Sequence, residues 1–417
     1  MPDTVTKMRQ NRSRSSVIAY LAFLGVLLAT GIDIALPAFD EIEKGIDTSA
    51  NVSLIITVYF VGMALGQLVY GPVADRFGRQ PAILSGLALY IVGAIASALA
   101  SSFTMLLLAR LLWGLGAAAP AGLRPAIARD LYSGDEMARV TTIIMAVFLL
   151  GPIFVPLVGE GLIRIAPWQV IFWFAAALAV VGALWCVRFG ETLAEENRRP
   201  LQFSELRLGL AAIVRTRITL GYTLALTLFS AAFFIFLGSA QPVFDQVYDR
   251  SSQFAWLFAL SGAITIPFLL INNKLIERHG ARRMSRIAST ISTVLAAAAI
   301  LPVLALDGQP PFWLWYAWLV VAAGMLTLAT PALTALALEP MGELAGTASS
   351  VIFFMNFAFG AGLAALFDRL VEDTVTPFVL GFSLYTAIGL PLMWWAGSRH
   401  ASSGTVDTSE LFEGVER

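Results

Sequence analysis

The sequence predicts an all-α membrane protein of twelve transmembrane helices arranged in two pseudo-symmetric six-helix bundles. Three observations carry this reading: too little charge for water, a one-sided distribution of basic residues between apolar runs, and an internal repeat. Of 417 residues, 58% are hydrophobic and 13% charged, and mean hydropathy is +0.77. Soluble domains carry about 25% charged residues, so the long apolar runs must face lipid, which excludes most soluble enzymes. A formal net charge of −1 gives no overall attraction to nucleic acid. One cysteine (Cys186) and two histidines (His279, His400) are too few soft ligands for a zinc site, a cluster or a disulfide framework. No metal and no cofactor is expected.

A span needs about 20 mostly apolar residues. Such runs occur at 17–37, 52–72, 80–100, 104–123, 140–161, 168–187, 218–238, 254–272, 285–305, 312–337, 347–367 and 377–396. The first follows Lys7, Arg9, Arg12 and Arg14 but is too long for a signal-peptide core and lacks a small-residue cleavage site, so it reads as a retained span. Counting basic residues on alternate sides places 22 of the 27 on the side of the N-terminus. The other side has Lys44, Arg164, Arg250 and Arg369, and Arg110 falls inside a span. Cytoplasmic loops carry the excess, so both termini are expected in the cytoplasm. The longest polar interruption, 188–217, contains Glu191, Glu195, Glu196, Arg198, Arg199 and Pro200 and reads as a solvated linker. The expected organisation is a cytoplasmic N-terminal tail 1–16, a bundle 17–187, a cytoplasmic linker 188–217, a second bundle 218–396 and a cytoplasmic tail 397–417.

The repeat links the two bundles. After span 2 the chain reads Gly71-Pro-Val-Ala-Asp75-Arg76-Phe-Gly78-Arg79, and after span 8 it reads Asn273-Lys-Leu-Ile-Glu277-Arg278-His-Gly280-Ala-Arg282, an offset of 202 residues. Acid, arginine, any residue, glycine at equivalent loops of two halves is the mark of a duplicated transporter fold. The first copy resembles the loop 2–3 motif of the major facilitator superfamily, and the layout is similar to that family over nearly the whole chain. Within it, Asp33-Ile-Ala-Leu36-Pro37, Gln67-Leu-Val-Tyr70-Gly71-Pro72, Arg110-x-x-x-Gly114-x-Gly116, Ala128-Arg129-Asp130-Leu131, Gly151-Pro152 and Val155-Pro156-Leu-Val-Gly159 are similar to the bicyclomycin and chloramphenicol resistance type of drug:proton antiporter. Departures from that pattern are Ala35 for a tyrosine, Trp113 for a glutamine and Glu160 for a second glycine. The resemblance implies the major facilitator fold, drug export and a conformational switch at Gly71, Asp75, Arg76, Gly78 and Arg79, with Glu277, Arg278 and Gly280 as the second copy. It also implies an antiporter motif in span 5 at Gly151, Pro152, Pro156 and Gly159, where proline and glycine favour a kink and close packing.

Charges within a bilayer are costly and usually carry a function or a partner. The first half has Asp33, Arg110 and, near a boundary, Glu160; the spans of the second half contain none beyond Arg286, which opens the run 285–305 and counts with the cytoplasmic loop before it. Asp33 lies four residues before its span's end and Arg110 six after its span's start, which puts both roughly 6–9 Å below the outer boundary. They are therefore the candidates for proton coupling, either as a working pair or as a static ion pair between spans 1 and 4. Glu160 and Arg164, at i, i+4, read as an ion pair at the membrane rim. Aromatics and amides in and around the second-half spans suit lipophilic ligands, and Gln67, Phe234, Asn356 and Phe357 are the candidate cavity residues.

The expected function is proton-coupled export of drugs or other small amphipathic compounds by alternating access. It would be a multi-pass protein of the cell (inner) membrane, with a small-molecule substrate, protons and membrane lipid as partners, no nucleic acid and a monomeric state. The rival on the same fold is a proton symporter importing a sugar, organic acid or other metabolite. A rival of another class is a membrane-embedded enzyme or receptor, which would need a His, a Cys or clustered acids at membrane depth.

Overall fold

Backbone amides and carbonyls find no partners in hydrocarbon, so lipid-facing segments close their hydrogen bonds internally as helices. The computed structural model describes residues 13–48, 51–198 and 204–397, and those residues contain helices and no strand. The tail residues 1–12 and 398–417 and the linker residues 199–203 lie outside the described part.

In chain order the membrane helices are α1 (Arg14–Asp33), α2 (Leu54–Phe77), α3 (Arg79–Ala98), α4 (Phe103–Leu131), α5 (Gly134–Ile163) and α6 (Val170–Phe189). They continue as α7 (Arg217–Pro242), α8 (Phe254–His279), α9 (Ala281–Ala305), α10 (Phe312–Leu338), α11 (Ala345–Asp368) and α12 (Thr376–Ala396). Among the described residues ten helices are long and apolar enough to cross a membrane. The remaining two, α5 and α8, are 30 and 26 residues long and occupy predicted spans 5 and 8. Ser13 caps α1 by accepting from the Ser16 amide at 3.2 Å, and Ser102 caps α4 by accepting from Met105 at 3.2 Å.

The chain divides into two compact units, 1–202 with 252–263, and 203–251 with 264–417, so one division falls within α8. In the first unit α4 packs against both α2 and α3, and the glycines of Arg110-x-x-x-Gly114-x-Gly116 explain how. A Cβ on Gly114 would strike the Tyr59 carbonyl of α2, and one on Gly116 would strike the Tyr90 amide of α3. Edge-to-face contacts of Trp113 with Tyr90 (5.1 Å) and Phe172 (5.7 Å) fill the space between α3, α4 and α6. Helix α5 is assigned without a break through Pro152 and Pro156. Its Gly151 faces Ala29, and its Gly159 faces the Ile34 carbonyl and the Pro37 ring, so this pair of glycines sets how near α5 comes to α1.

In the second unit α7 packs against α10, α11 and α12, and α9 against α10 and α12. Two arginines hold the end of α12: Arg217 donates to the Trp395 carbonyl at 2.6 Å and Arg286 to the Gly397 carbonyl at 3.0 Å. Each guanidinium also lies over an indole, Arg217 over Trp395 at 4.8 Å and Arg286 over Trp394 at 4.9 Å. Cations at a helix C-terminus offset its partial negative charge. Midway along α11 the helix widens into a π turn at Met355–Phe359.

Candidate functional site

Asp33 ends α1 with its carboxyl 3% exposed. Beside it Gly31 admits the Tyr59 hydroxyl, which a Cβ there would displace. Arg110 is fully buried on α4. Its Nε donates to the Ile55 carbonyl at 3.1 Å, and its guanidinium carbon lies 4.7 Å from the ring centres of both Tyr59 and Trp113. Its two terminal nitrogens have no hydrogen-bond partner.

The expected Asp33–Arg110 pair is thus not formed: among the described residues Asp33 has no ion pair, and the guanidinium is held by two rings and a backbone carbonyl. A desolvated cation over an aromatic face gains about 2 kcal/mol or more, which offsets part of the missing counter-ion. Tyr59 interacts electrostatically with both Arg110 and Asp33, so the two charges share a neighbour rather than a bond. Glu160 and Arg164 do pair, at 2.9 Å, with Arg164 exposed.

The loop after α2 forms a denser network. Gly71 lies within α2 just before Pro72. Asp75 and Arg79 face one another at i, i+4 and 2.6 Å, and the same arginine reaches Asp130 on α4 at 2.9 Å. Arg76, one residue along, is exposed. Gly78 takes φ +104°, and a Cβ there would also strike the Glu191 carboxylate.

Glu191 is the residue that composition misassigned to a solvated linker. Its carboxylate accepts from the backbone amides of Arg79, Thr192 and Leu193 at 2.8 Å each and of Gln80 at 3.1 Å. Those first two amides of α3 are donors with no partner inside their own helix. Thr192 adds a 3.4 Å hydrogen bond to Asp130. The segment after α6 is thereby fastened to α3 and α4.

The second copy of the motif keeps the turn and loses the network. Gly280 has φ +81°, but Glu277 and Arg278 are exposed. The position 202 residues after Arg79 is Ala281, and the nearby Arg282 reaches Glu339 only at 3.9 Å.

A further correction concerns charge in the second-half spans. Asp368 lies on the last turn of α11, 5% exposed, one residue beyond the predicted span. It accepts from Ser239 of α7 at 2.5 Å. The candidate cavity residues fall in both units. In the first, Gln67 donates to the Ala118 carbonyl at 3.3 Å. In the second, Phe234 and Phe357 stack at 5.8 Å, and Asn356, on the π turn, accepts from Thr227 at 3.1 Å. An apolar crevice of about 340 Å³ near them, lined by Leu224, Thr227, Leu228, Met355, Phe359, Leu363 and Leu392, includes none of the three. Among the described residues no group of histidines, cysteines and acids could hold a metal ion.

Comparison with known proteins agrees with this architecture. A bicyclomycin resistance protein homolog of Haemophilus influenzae is 31% identical over 405 residues, covering 95% of this chain and all of that one. A chloramphenicol resistance protein of Pseudomonas aeruginosa is 27% identical over 381 residues, covering 88% and 87% of the two chains. Among solved structures, a D-xylose–proton symporter superposes with a TM-score of 0.77 at 13% identity, covering 94% of this chain and 99% of that one. The human organic anion transporter MFSD10 superposes with a TM-score of 0.63 at 20% identity, covering 92% and 100%. At such identities these two show the fold alone. The family profile described as Major Facilitator Superfamily matches residues 21–365. The chain is a multi-pass membrane transporter rather than an enzyme, and it belongs to the major facilitator superfamily.

Proposed function

We propose that this transporter exports drugs or other small amphipathic compounds in exchange for protons by alternating access, with Asp33 as the coupling carboxyl. The observation that carries the reading is the pair of buried charges, Asp33 and Arg110, which share Tyr59 without neutralising one another. An unpaired charge at membrane depth costs at least ~2.5–3.5 kcal/mol. A proton on Asp33 removes that cost and frees the end of α1 to move; losing the proton creates an anion one ring away from a guanidinium with two unused donors. Binding and release of a proton therefore change the local electrostatics of α1, α2 and α4 together.

The drug class follows from the relatives named for bicyclomycin and chloramphenicol resistance and from the aromatic surface around Phe234, Asn356 and Phe357, which we assign to substrate binding. The motif at Gly71, Asp75, Arg76, Gly78 and Arg79, with Glu277, Arg278 and Gly280, serves as the switch that biases the two access states, and the close α1–α5 packing at Gly151 and Gly159 seals the path between them. The excess of basic residues on one side supports an inner-membrane location with both termini cytoplasmic. The protein works as a monomer of two bundles joined at 188–217.

Everted vesicles from an efflux-deficient host test the reading with radiolabelled chloramphenicol and bicyclomycin as probes. Asp33→Asn should abolish accumulation driven by a proton gradient while leaving downhill exchange. Gradient-driven accumulation at the wild-type level in that variant would overturn the coupling assignment.

A further inference from the structure

We propose that Asp368 and Ser239 form a second proton-binding site, in the second unit, on the pair of helices equivalent to α1 and α5. In the duplicated layout α7 and α11 correspond to α1 and α5, and both pairs pack directly. Each pair carries one buried carboxyl on a helix's last turn: Asp33 on α1 and Asp368 on α11. The repeat has moved the acid to the other partner of the pair.

The surroundings of Asp368 suit a proton and little else. Its Oδ1 accepts from the Ser239 hydroxyl at 2.5 Å. Its Oδ2 lies against Gly238 so closely that a Cβ there would come within 2.6 Å. The titratable neighbour on α12, Tyr385, gives its own hydroxyl proton to the Leu363 carbonyl at 2.7 Å and supplies no hydrogen bond. Along the chain Arg369, Glu372 and Asp373 are exposed. Among the described residues no lysine or arginine pairs with Asp368. An ionised carboxylate here has one hydroxyl donor and no cation, an arrangement that desolvation strongly disfavours. Two oxygens and a backbone flank are also too few ligands for a metal cation. A proton neutralises the group where it stands, and opening of the α7–α11 end to water lets it leave.

The test measures proton binding directly and does not depend on drug export. Infrared difference spectra between acidic and alkaline pH are recorded on purified wild type, Asp368→Asn, Ser239→Ala and Asp33→Asn in nanodiscs. The expected result is a protonated-carboxyl band that titrates in the wild type, is missing in Asp368→Asn, moves to higher frequency in Ser239→Ala and persists in Asp33→Asn. An Asp368→Asn spectrum equal to the wild type, a band indifferent to Ser239→Ala, or one that never titrates would overturn the proposal. The last result would make Asp368 a static pin. If Asp368→Asn does not yield folded protein, the Ser239→Ala comparison and the wild-type titration decide alone.

Discussion

Burial should rank the three charges of the loop 2–3 network. The side chains of Arg79, Asp130 and Asp75 are 6%, 12% and 48% exposed. Exposed ion pairs contribute about 0–1 kcal/mol, so Asp75→Asn should cost no more than that despite its short 2.6 Å contact. Asp130→Asn replaces a charge-assisted bond with a neutral one in a nearly dry place, for about 1.5–3 kcal/mol. Arg79→Met leaves Asp130 with only the Thr192 hydroxyl, and stranding a buried charge costs about 3–5 kcal/mol. Detergent-solubilised variants followed by intrinsic fluorescence at one scan rate give the ranking, since unfolding of such a protein is reported as a rate. The order Asp75→Asn, Asp130→Asn, Arg79→Met in rising cost is expected. Equal losses for the two aspartate changes would refute burial as the deciding quantity.

Three further outcomes follow from the same packing. Gly114→Ala pushes a Cβ into the Tyr59 carbonyl and should cost about 1–3 kcal/mol or more, seen as loss of the monodisperse peak in size exclusion, whereas Gly161→Ala meets open space and should be silent. Tyr59→Phe removes a hydroxyl that has no hydrogen-bond partner and should leave melting unchanged or higher, while Tyr59→Leu also removes the ring from Arg110 and should lose about 2 kcal/mol. Glu191→Ala frees four backbone amides and should speed tryptic cleavage at Arg188 and Arg198; cleavage at the wild-type rate would contradict the capping role.

How much of this was legible in the sequence depended on whether the signal was local. Helix positions came from run length, which lipid imposes residue by residue. Asp33 and Arg110 stood out because charge is scarce there, but their relation did not: the guanidinium's neighbours are set by Tyr59 and Trp113 on two helices brought together by Gly114. Asp368 escaped because a hydropathy boundary drawn at 367 excluded it by one residue, although helix and burial both continue. Glu191 escaped because a charged segment reads as solvated by composition, and nothing in composition shows that the start of α3 lies against it. The choice of Arg79 over Arg76 was available from i, i+4 spacing to Asp75, a clue that the motif's adjacent acid and arginine obscured.

The difference between the two copies of the motif is then a structural fact with a direction. Both keep a glycine with positive φ, so both loops turn alike. In the first, one buried arginine joins Asp75 of α2 to Asp130 of α4, and Glu191 ties the segment after α6 to α3, so these elements are joined on that side. In the second, the arginine's position holds Ala281, while an acid, Glu339, follows the end of α10 much as Asp130 closes α4. The exposed 3.9 Å contact of Arg282 with Glu339 is too long and too solvated to substitute. Stiffness at the loop side is therefore concentrated in the first unit, where the buried charges also lie in α1 and α4, while the turn between α8 and α9 has its glycine geometry and looser side-chain contacts to hold it.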